Sequence, residues 1–160
     1  MAELNTQSKV MDKPKIKELL KSKQDGVLSL TDGQSTYGLP IAYAFYQNDT
    51  IYFGMSPSGR KYEYFKKCKN VSFTLHKTFG GSDDPLKMGW WSIVLDGVLS
   101  QVTDPEEVRA VIELMDKQGL FPPGLKEQLL GVILQNPDQS YFFKMNITEY
   151  GGKELEEAKS

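Results

Sequence analysis

The stretch that decides the fold is GVLSLTDGQSTYGLPIAYAFYQNDTIYFGM, residues 26–55. Runs of apolar, β-branched and aromatic residues alternate in it with turn dipeptides, in the order 26–31, Asp32-Gly33, 35–46, Asn48-Asp49 and 50–55. Asp-Gly between two such runs is a strong hairpin signal. Short strands separated by turn residues are typical of an antiparallel sheet. The stretch therefore predicts three consecutive antiparallel strands.

Three later segments continue the strand pattern. NVSFTLH, residues 70–76, alternates between apolar and polar side chains, as a strand with one buried face does. WWSIVLDGVLSQV, residues 90–102, predicts a long strand in which Gly97 marks a bulge or bend. SYFFKMNITEY, residues 140–150, alternates in the same way. The chain thus carries five or six strands.

Two short helices are expected before and among these strands, and two near the end of the chain. The first runs from its N-cap Asp12 to Lys23, where Ile16, Leu19, Leu20 and Lys23 share a face, and Gly26 ends it. Further short helices are expected at 60–68 and 125–134.

The remaining helix has the strongest start signal in the chain. Asp104 is its N-cap, Pro105 occupies the first helical position, and Glu107 completes a capping box. The predicted buried stripe of this helix consists of Val108, Val111, Ile112 and Met115.

Strands at meander spacing, with helices at the start, after the third strand and near the end, are not a βαβ arrangement. An antiparallel sheet of this size must protect its edges, and closure into a small barrel does so. We predict a mainly β fold, an antiparallel β-barrel with flanking helices. The predicted organisation is a flexible N-terminus at 1–11, a single domain at 12–152 and a polar tail at 153–160.

The charge, hydropathy and cysteine content of the chain exclude several classes of protein. The 160 residues carry a net charge of −2, unlike the basic surface of a nucleic-acid binder. No apolar run reaches the roughly 20 residues of a membrane span, and the N-terminus lacks a secretory h-region. A single cysteine fits a reducing compartment. We therefore expect a cytoplasmic protein with no membrane or nucleic-acid partner.

The counts of histidine and cysteine limit the chemistry further. With one His and one Cys, the chain cannot build a Cys/His zinc site, and no metal site is expected. The sequence has no G-x-S-x-G elbow, Walker A motif or G-x-G-x-x-G fingerprint. We read His76 and Cys68 as structural, and no catalytic residue is identified. Any enzymatic chemistry would come from a cofactor.

The strand around residues 37–45 has large residues at odd positions and small ones at even positions. Because side chains alternate between faces, one face is nearly bare backbone. A flat ring could lie there, or another strand or helix could pack closely. Pro40 indicates an edge or a bulge, where ladder hydrogen bonds are missing.

Residues 55–61, MSPSGRK, follow a strand and lead into a helix. Hydroxyls, free backbone N–H groups and adjacent cations at a helix N-terminus suit a phosphate. Cations there oppose the helix dipole unless an anion is present. The alternative is a solvated loop.

Trp90 and Trp91 point to opposite faces of their strand, so at most one belongs to the core. The other must cover a surface, a subunit interface or a ligand.

Together, these segments resemble the pyridoxamine 5′-phosphate oxidase-like, FMN-binding split β-barrel family, and its small nitroimidazole-resistance-type members above all. The resemblance spans nearly the whole chain. Three segments carry it, by their order and spacing: LPIAY at 39–43, TIYFGMSPSGRKYEYFKKCKNVSFTL at 50–75 and WSIVLDGVLSQVTDPEE at 91–107.

The resemblance implies an antiparallel split β-barrel that binds FMN at a homodimer interface and passes electrons from a reduced nicotinamide to a small acceptor. The implied flavin-binding residues are Pro40, Ile41, Ala42 and Tyr43 at the ring, Met55, Ser56, Ser58, Gly59, Arg60 and Lys61 at the phosphate, and Trp91 and Ser92 across the interface.

One departure from the family is that many members have a histidine where this chain has Gly54-Met55. Two alternatives stay open: a haem- or deazaflavin-binding barrel, and a non-enzymatic dimeric module whose small-residue face serves packing only.

Overall fold

The predicted strands form one antiparallel sheet in the computed structural model, which describes residues 8–22 and 25–157. Within these residues the strands are β1 (Lys9–Val10), β2 (Asp25–Thr31), β3 (Thr36–Ala42), β4 (Ala44–Tyr46), β5 (Thr50–Gly54), β6 (Asn70–Phe79), β7 (Gly89–Gln101) and β8 (Phe142–Leu155). The helices are α1 (Lys13–Lys21), α2 (Gly59–Lys67), α3 (Pro105–Lys117) and α4 (Leu125–Ile133).

The strand order is β3-β2-β6-β7-β8-β5-β4, and β1 pairs with the far end of β8. All pairings are antiparallel. The two edge strands, β3 and β4, are separated along the chain by Tyr43 alone. The sheet must therefore curl until its edges approach each other. This curled half-barrel with flanking helices confirms the predicted split β-barrel.

The segment 35–46, predicted as one strand, is divided at Tyr43 into β3 and β4. The Tyr43 side chain is 3% exposed, and its hydroxyl donates to the carbonyl oxygens of Leu20 (3.0 Å) and Ser22 (3.2 Å). The single continuous strand was thus a wrong prediction. The chain crosses from one sheet edge to the other where Tyr43 turns into the core.

Helix α1 begins as predicted, with Asp12 Oδ1 accepting from the Lys15 N–H at 2.9 Å. It ends at Lys21 with Ser22 as C-cap, so Gly26 is not its end signal. Gly26 instead lies in β2, where a Cβ would collide with the Phe73 ring and come within 2.8 Å of the Thr74 carbonyl. The proposed face residue Lys23 lies outside the described residues.

Ordered pairing extends into both segments that the sequence assigned to flexible ends. Lys9 pairs with Glu154 and Val10 with Lys153, and β8 continues to Leu155. Residues 1–7 and 158–160 of those segments lie outside the described part, and the domain boundaries stay a prediction.

Two clusters make up the core. The larger fills the half-barrel with residues such as Phe53, Phe73 and Phe143, and it includes Ile16 and Leu20 of α1. The smaller lies beneath α3 and α4 and contains the predicted stripe Val108, Val111, Ile112 and Met115, all buried. The Asp104 cap is confirmed, since its Oδ2 accepts from the Glu107 N–H at 2.9 Å.

Candidate functional site

The loop between β5 and α2 holds the predicted phosphate residues. Met55 is buried, Ser56 is half-buried, and Ser58 is the exposed N-cap of α2. Within the described residues the Ser58 side chain caps no helix N–H; its Oγ lies 2.7 Å from Ser56 Oγ. By contrast, aspartates cap α1 and α3. The first N–H groups of α2 therefore remain available to an anion.

Two cations stand in the first turn of this helix. Arg60 is exposed and Lys61 is half-buried. In the described part of the chain, neither forms an ion pair with a carboxylate, and the first turn of α2 contains no acidic residue. Positive charge at a helix N-terminus opposes the helix dipole. A bound anion would offset the repulsion between these two cations and the positive end of the helix dipole.

Strand β3 lies at one edge of the sheet, as Pro40 predicted. Among the described residues it pairs with β2 alone, so one row of its main-chain groups faces outward. Pro40 and Ala42 are exposed, whereas Ile41 on the other face is half-buried. The exposed face has the low relief expected from its small residues.

A groove of about 360 Å³ crosses the outer face of β3, β2, β6 and β7. Its floor includes the cross-strand row Pro40, Val27, Thr74 and Val94. His76 and Ser92, paired in register, lie beside this row. The fold thus brings Pro40 and Ser92, which lie far apart in sequence, to one surface.

A second groove, of about 470 Å³, continues the same face over Ser29, Thr36, Ser72, Asp96 and Val98. Many of the side chains that line both grooves are serine, threonine or valine and therefore short. Val94 and Val98 are 47% and 40% exposed. A face of this kind, flat and partly apolar, is suited to contact with another surface.

Three predicted site residues point into the core. Trp91 and Met55 are each 7% exposed, and Tyr43 packs edge-on against Phe73 at 5.3 Å. Burial, and next the charge of Asp25, raise the pKa of the Tyr43 hydroxyl above its usual range. Of the tryptophan pair, Trp90 is the half-buried member on the outer face.

Two tyrosines that the sequence analysis did not identify lie at the phosphate loop. The Arg60 guanidinium carbon lies 4.8 Å from the Tyr37 ring centroid and 5.8 Å from that of Tyr64. Tyr37 lies on β3, so this contact joins the α2 N-terminus to the edge strand. The sequence shows Tyr64 close to Arg60 along the chain. It gives no sign that Tyr37, on β3, also contacts Arg60.

The lone cysteine and histidine lie apart. Cys68 is the C-cap of α2, and His76 is exposed at the groove. In residues 8–22 and 25–157, no group of three or more His, Cys, Asp or Glu side chains is placed to hold a metal ion. None of the helices in these ranges has both the length and the hydropathy of a membrane span.

Comparison with known proteins gives one family match. The model of the pyridoxamine 5′-phosphate oxidase family matches residues 12–153. No curated protein matches the chain significantly.

Several solved structures share the fold. A candidate 5-nitroimidazole antibiotic resistance protein from Bacteroides thetaiotaomicron is 21% identical, with a TM-score of 0.70, over 92% of this chain and 87% of that one. A FAD-binding protein from Mesorhizobium loti is 21% identical, with a TM-score of 0.68, over 92% and 98%. A FAD and heme binding protein from Mycobacterium smegmatis is 11% identical, with a TM-score of 0.68, over 96% and 76%.

Proposed function

Because this chain belongs to the pyridoxamine 5′-phosphate oxidase family, which its residues 12–153 match, we propose that it is a flavoprotein that binds FMN at a homodimer interface and acts as an oxidoreductase. Two of the three structures compared above are named for FAD binding, which supports a flavin. The finer assignment to FMN depends on the site itself.

The observation that carries the proposal is the N-terminus of α2. Its N-cap serine bonds to another serine, and within the described chain Arg60 and Lys61 of its first turn form no ion pair with a carboxylate. A phosphate monoester would satisfy the free N–H groups, the hydroxyls and the positive charge together. In this proposal Ser56, Ser58, Gly59, Arg60 and Lys61 hold the phosphate.

The flavin ring is proposed to lie along the edge strand β3. Tyr37 marks the phosphate end of this strand, and Pro40 lies three residues further on, about 10 Å away at strand spacing. The open main-chain groups from Pro40 to Tyr43 would bond the polar edge of the ring, and Ala42 leaves room for its face. Ser92, on the same outer face, would complete the site from the partner subunit.

A flavin bound here would supply the redox chemistry between a reduced nicotinamide and a small acceptor. The protein's own part is to orient the ring and to clamp the phosphate. We assign no side chain as acid or base: His76 is exposed, and the tyrosine Tyr43 is buried against α1.

The test is a visible absorption scan of the purified protein after addition of FMN and removal of excess by gel filtration. We expect a stoichiometric yellow band. Arg60→Ala should weaken FMN binding by about 1.5–3 kcal/mol, the cost of losing charged hydrogen bonds. That corresponds to roughly a ten- to 150-fold higher Kd. Arg109, exposed on α3, is the only other arginine, so Arg109→Ala is the matched control.

An Arg60→Ala protein that titrates like wild type would contradict the phosphate clamp. Wild-type protein that retains no flavin would contradict the proposed function. Scans with haem and with a deazaflavin would then distinguish the cofactor alternatives from a dimeric module without cofactor.

A further inference from the structure

Arg60 is held by aromatic rings instead of by a carboxylate. Its guanidinium lies over Tyr37 and Tyr64, at 4.8 Å and 5.8 Å from their centroids. The two rings are 5.8 Å apart and inclined by 33°. The Tyr64 hydroxyl also bonds Arg60, and this contact, after the one with Ser35, lowers the pKa of Tyr64. The planar guanidinium has five N–H donors, so a contact of this kind leaves others for a phosphate. An ion pair with Asp or Glu would occupy those donors.

Tyr64 is in turn fixed from a distant part of the chain. Its hydroxyl lies 2.7 Å from Ser35 Oγ, across 29 positions of sequence. Ser35 Oγ also donates to Asp32 Oδ1, at 3.1 Å. Either hydroxyl can donate in the Ser35–Tyr64 bond, and this bond is the first cause that lowers the pKa of Tyr64.

The turn that carries Ser35 is itself organised by one carboxylate oxygen. Asp32 Oδ1 accepts from the backbone N–H of Gln34 at 2.9 Å and of Ser35 at 2.6 Å. These amide bonds, that of Ser35 first, lower the pKa of Asp32, which is ionised at neutral pH. The β2–β3 turn therefore presents Ser35 to Tyr64 in a defined position.

We propose that Tyr37 and Tyr64 are positioning residues that hold Arg60 in the orientation required to bind the phosphate of a phosphorylated flavin, with Ser35 of the β2–β3 turn fixing Tyr64. This inference rests on the proposed function. Pre-ordering a long side chain reduces the entropy lost on binding. The predicted consequence is selectivity: the tyrosines favour FMN over riboflavin, which has the same ring and no phosphate.

The test measures FMN and riboflavin affinities of the full chain by quenching of flavin fluorescence. Tyr64→Phe keeps the ring and removes the bond to Ser35, and Tyr37→Leu removes a stacking face. Tyr37→Leu should raise the Kd for FMN about two- to fivefold, the range for an exposed cation–π contact. Tyr64→Phe should raise it about two- to tenfold, through the loss of the hydrogen bonds of the hydroxyl. Both should leave the Kd for riboflavin unchanged. The control is Tyr62→Phe on the same helix, whose ring contacts Phe65 and Phe143.

Two readouts separate positioning from a general structural effect. In an Arg60→Ala background, Tyr64→Phe should have no further effect on FMN affinity. In flavin-free protein, NMR relaxation of the arginine Nε groups yields two signals, because the chain has two arginines. Arg60 should be more ordered than Arg109, and Tyr64→Phe should remove the difference.

Three results would overturn the inference. One is a Tyr64→Phe protein with unchanged FMN affinity and an equally ordered Arg60. Another is equal weakening of riboflavin and FMN. If wild-type protein binds no flavin at all, the proposed function fails and this inference fails with it, whereas the first two results leave the proposed function intact.

Discussion

At the scale of single residues, Gly97 shows how closely two strands of this sheet approach. The β7–β8 register shifts between Asp96 and Gly97, which confirms the predicted bulge. A Cβ on Gly97 would collide with the Asn146 carbonyl oxygen and lie 2.9 Å from Met145 side-chain atoms. The bulge therefore requires glycine for space, since backbone on the neighbouring strand cannot move aside cheaply.

We expect Gly97→Ala to lower the free energy of unfolding by about 1–3 kcal/mol, as overpacking does. The control is Gly131→Ala, in α4 with open space around it, which should raise stability by about 0.5–1 kcal/mol because alanine is the better helix former. Urea unfolding measures the free energy of unfolding of both variants, and an unchanged m-value shows that the comparison with wild type is valid. Equal stabilities of Gly97→Ala and wild type would mean that the strands separate easily here.

At the scale of secondary-structure elements, α3 is tied to the sheet by a small polar network. Glu107 Oε1 accepts from Lys144 Nζ of β8 at 2.7 Å and from the Tyr52 hydroxyl of β5 at 3.3 Å. Burial first, and then the Glu107 charge, raise the pKa of Tyr52 to about 12. Tyr52 therefore stays protonated, and able to donate to Glu107, up to a higher pH than an ordinary tyrosine.

This network predicts a pH dependence. Tyrosine in the unfolded chain titrates near pH 10, so above that pH the unfolded state loses a proton that folded Tyr52 keeps. The free energy of unfolding should therefore fall between about pH 10 and 12. Tyr52→Phe should show a smaller fall, although Tyr43 and Tyr150, whose pKa values are also raised, still contribute. Urea titrations at pH 8.5 and 11.5 compare the two proteins; identical falls would contradict the assignment.

At the scale of the whole molecule, we propose that the homodimer forms through the outer face of β3, β2, β6 and β7. It is flat, it includes exposed Val94 and Val98, and it borders the edge strand β3. The flavin is proposed to bind at this interface. Assembly and cofactor binding should then depend on the same face.

Val94→Glu should convert the proposed dimer to monomer and reduce FMN retention. We expect the dimer Kd to rise roughly a hundredfold or more, because burying an unpaired carboxylate costs several kcal/mol. The control is Val132→Glu on α4, where the native side chain is 65% exposed. Sedimentation velocity over a concentration series measures the dimer, and circular dichroism checks the fold. A Val94→Glu protein that remains dimeric would place the interface elsewhere.

The sequence by itself determined much of the local structure, although not the division of the strand at Tyr43 or the end of α1. Asp12 and Asp104 marked helix starts, Asp32-Gly33 marked a hairpin, and Gly97 marked the bulge. It also identified the loop from Met55 to Lys61 as a candidate phosphate site. Helix capping, turn conformation and the alternation of apolar and polar residues in a strand depend on neighbours within a few positions. They can therefore be predicted from a single sequence. The order and spacing of three sequence segments then indicated the family.

The order of strands, by contrast, was decided only in the tertiary structure. Local pattern does not reveal that β3 and β4, one residue apart, form opposite edges, since the break at Tyr43 depends on a hydrogen bond to α1. Nor does it reveal that Trp91 faces the core, or that Ser35 and Tyr37 meet Tyr64 and Arg60. Such contacts join distant segments, and their geometry depends on how the whole sheet curls.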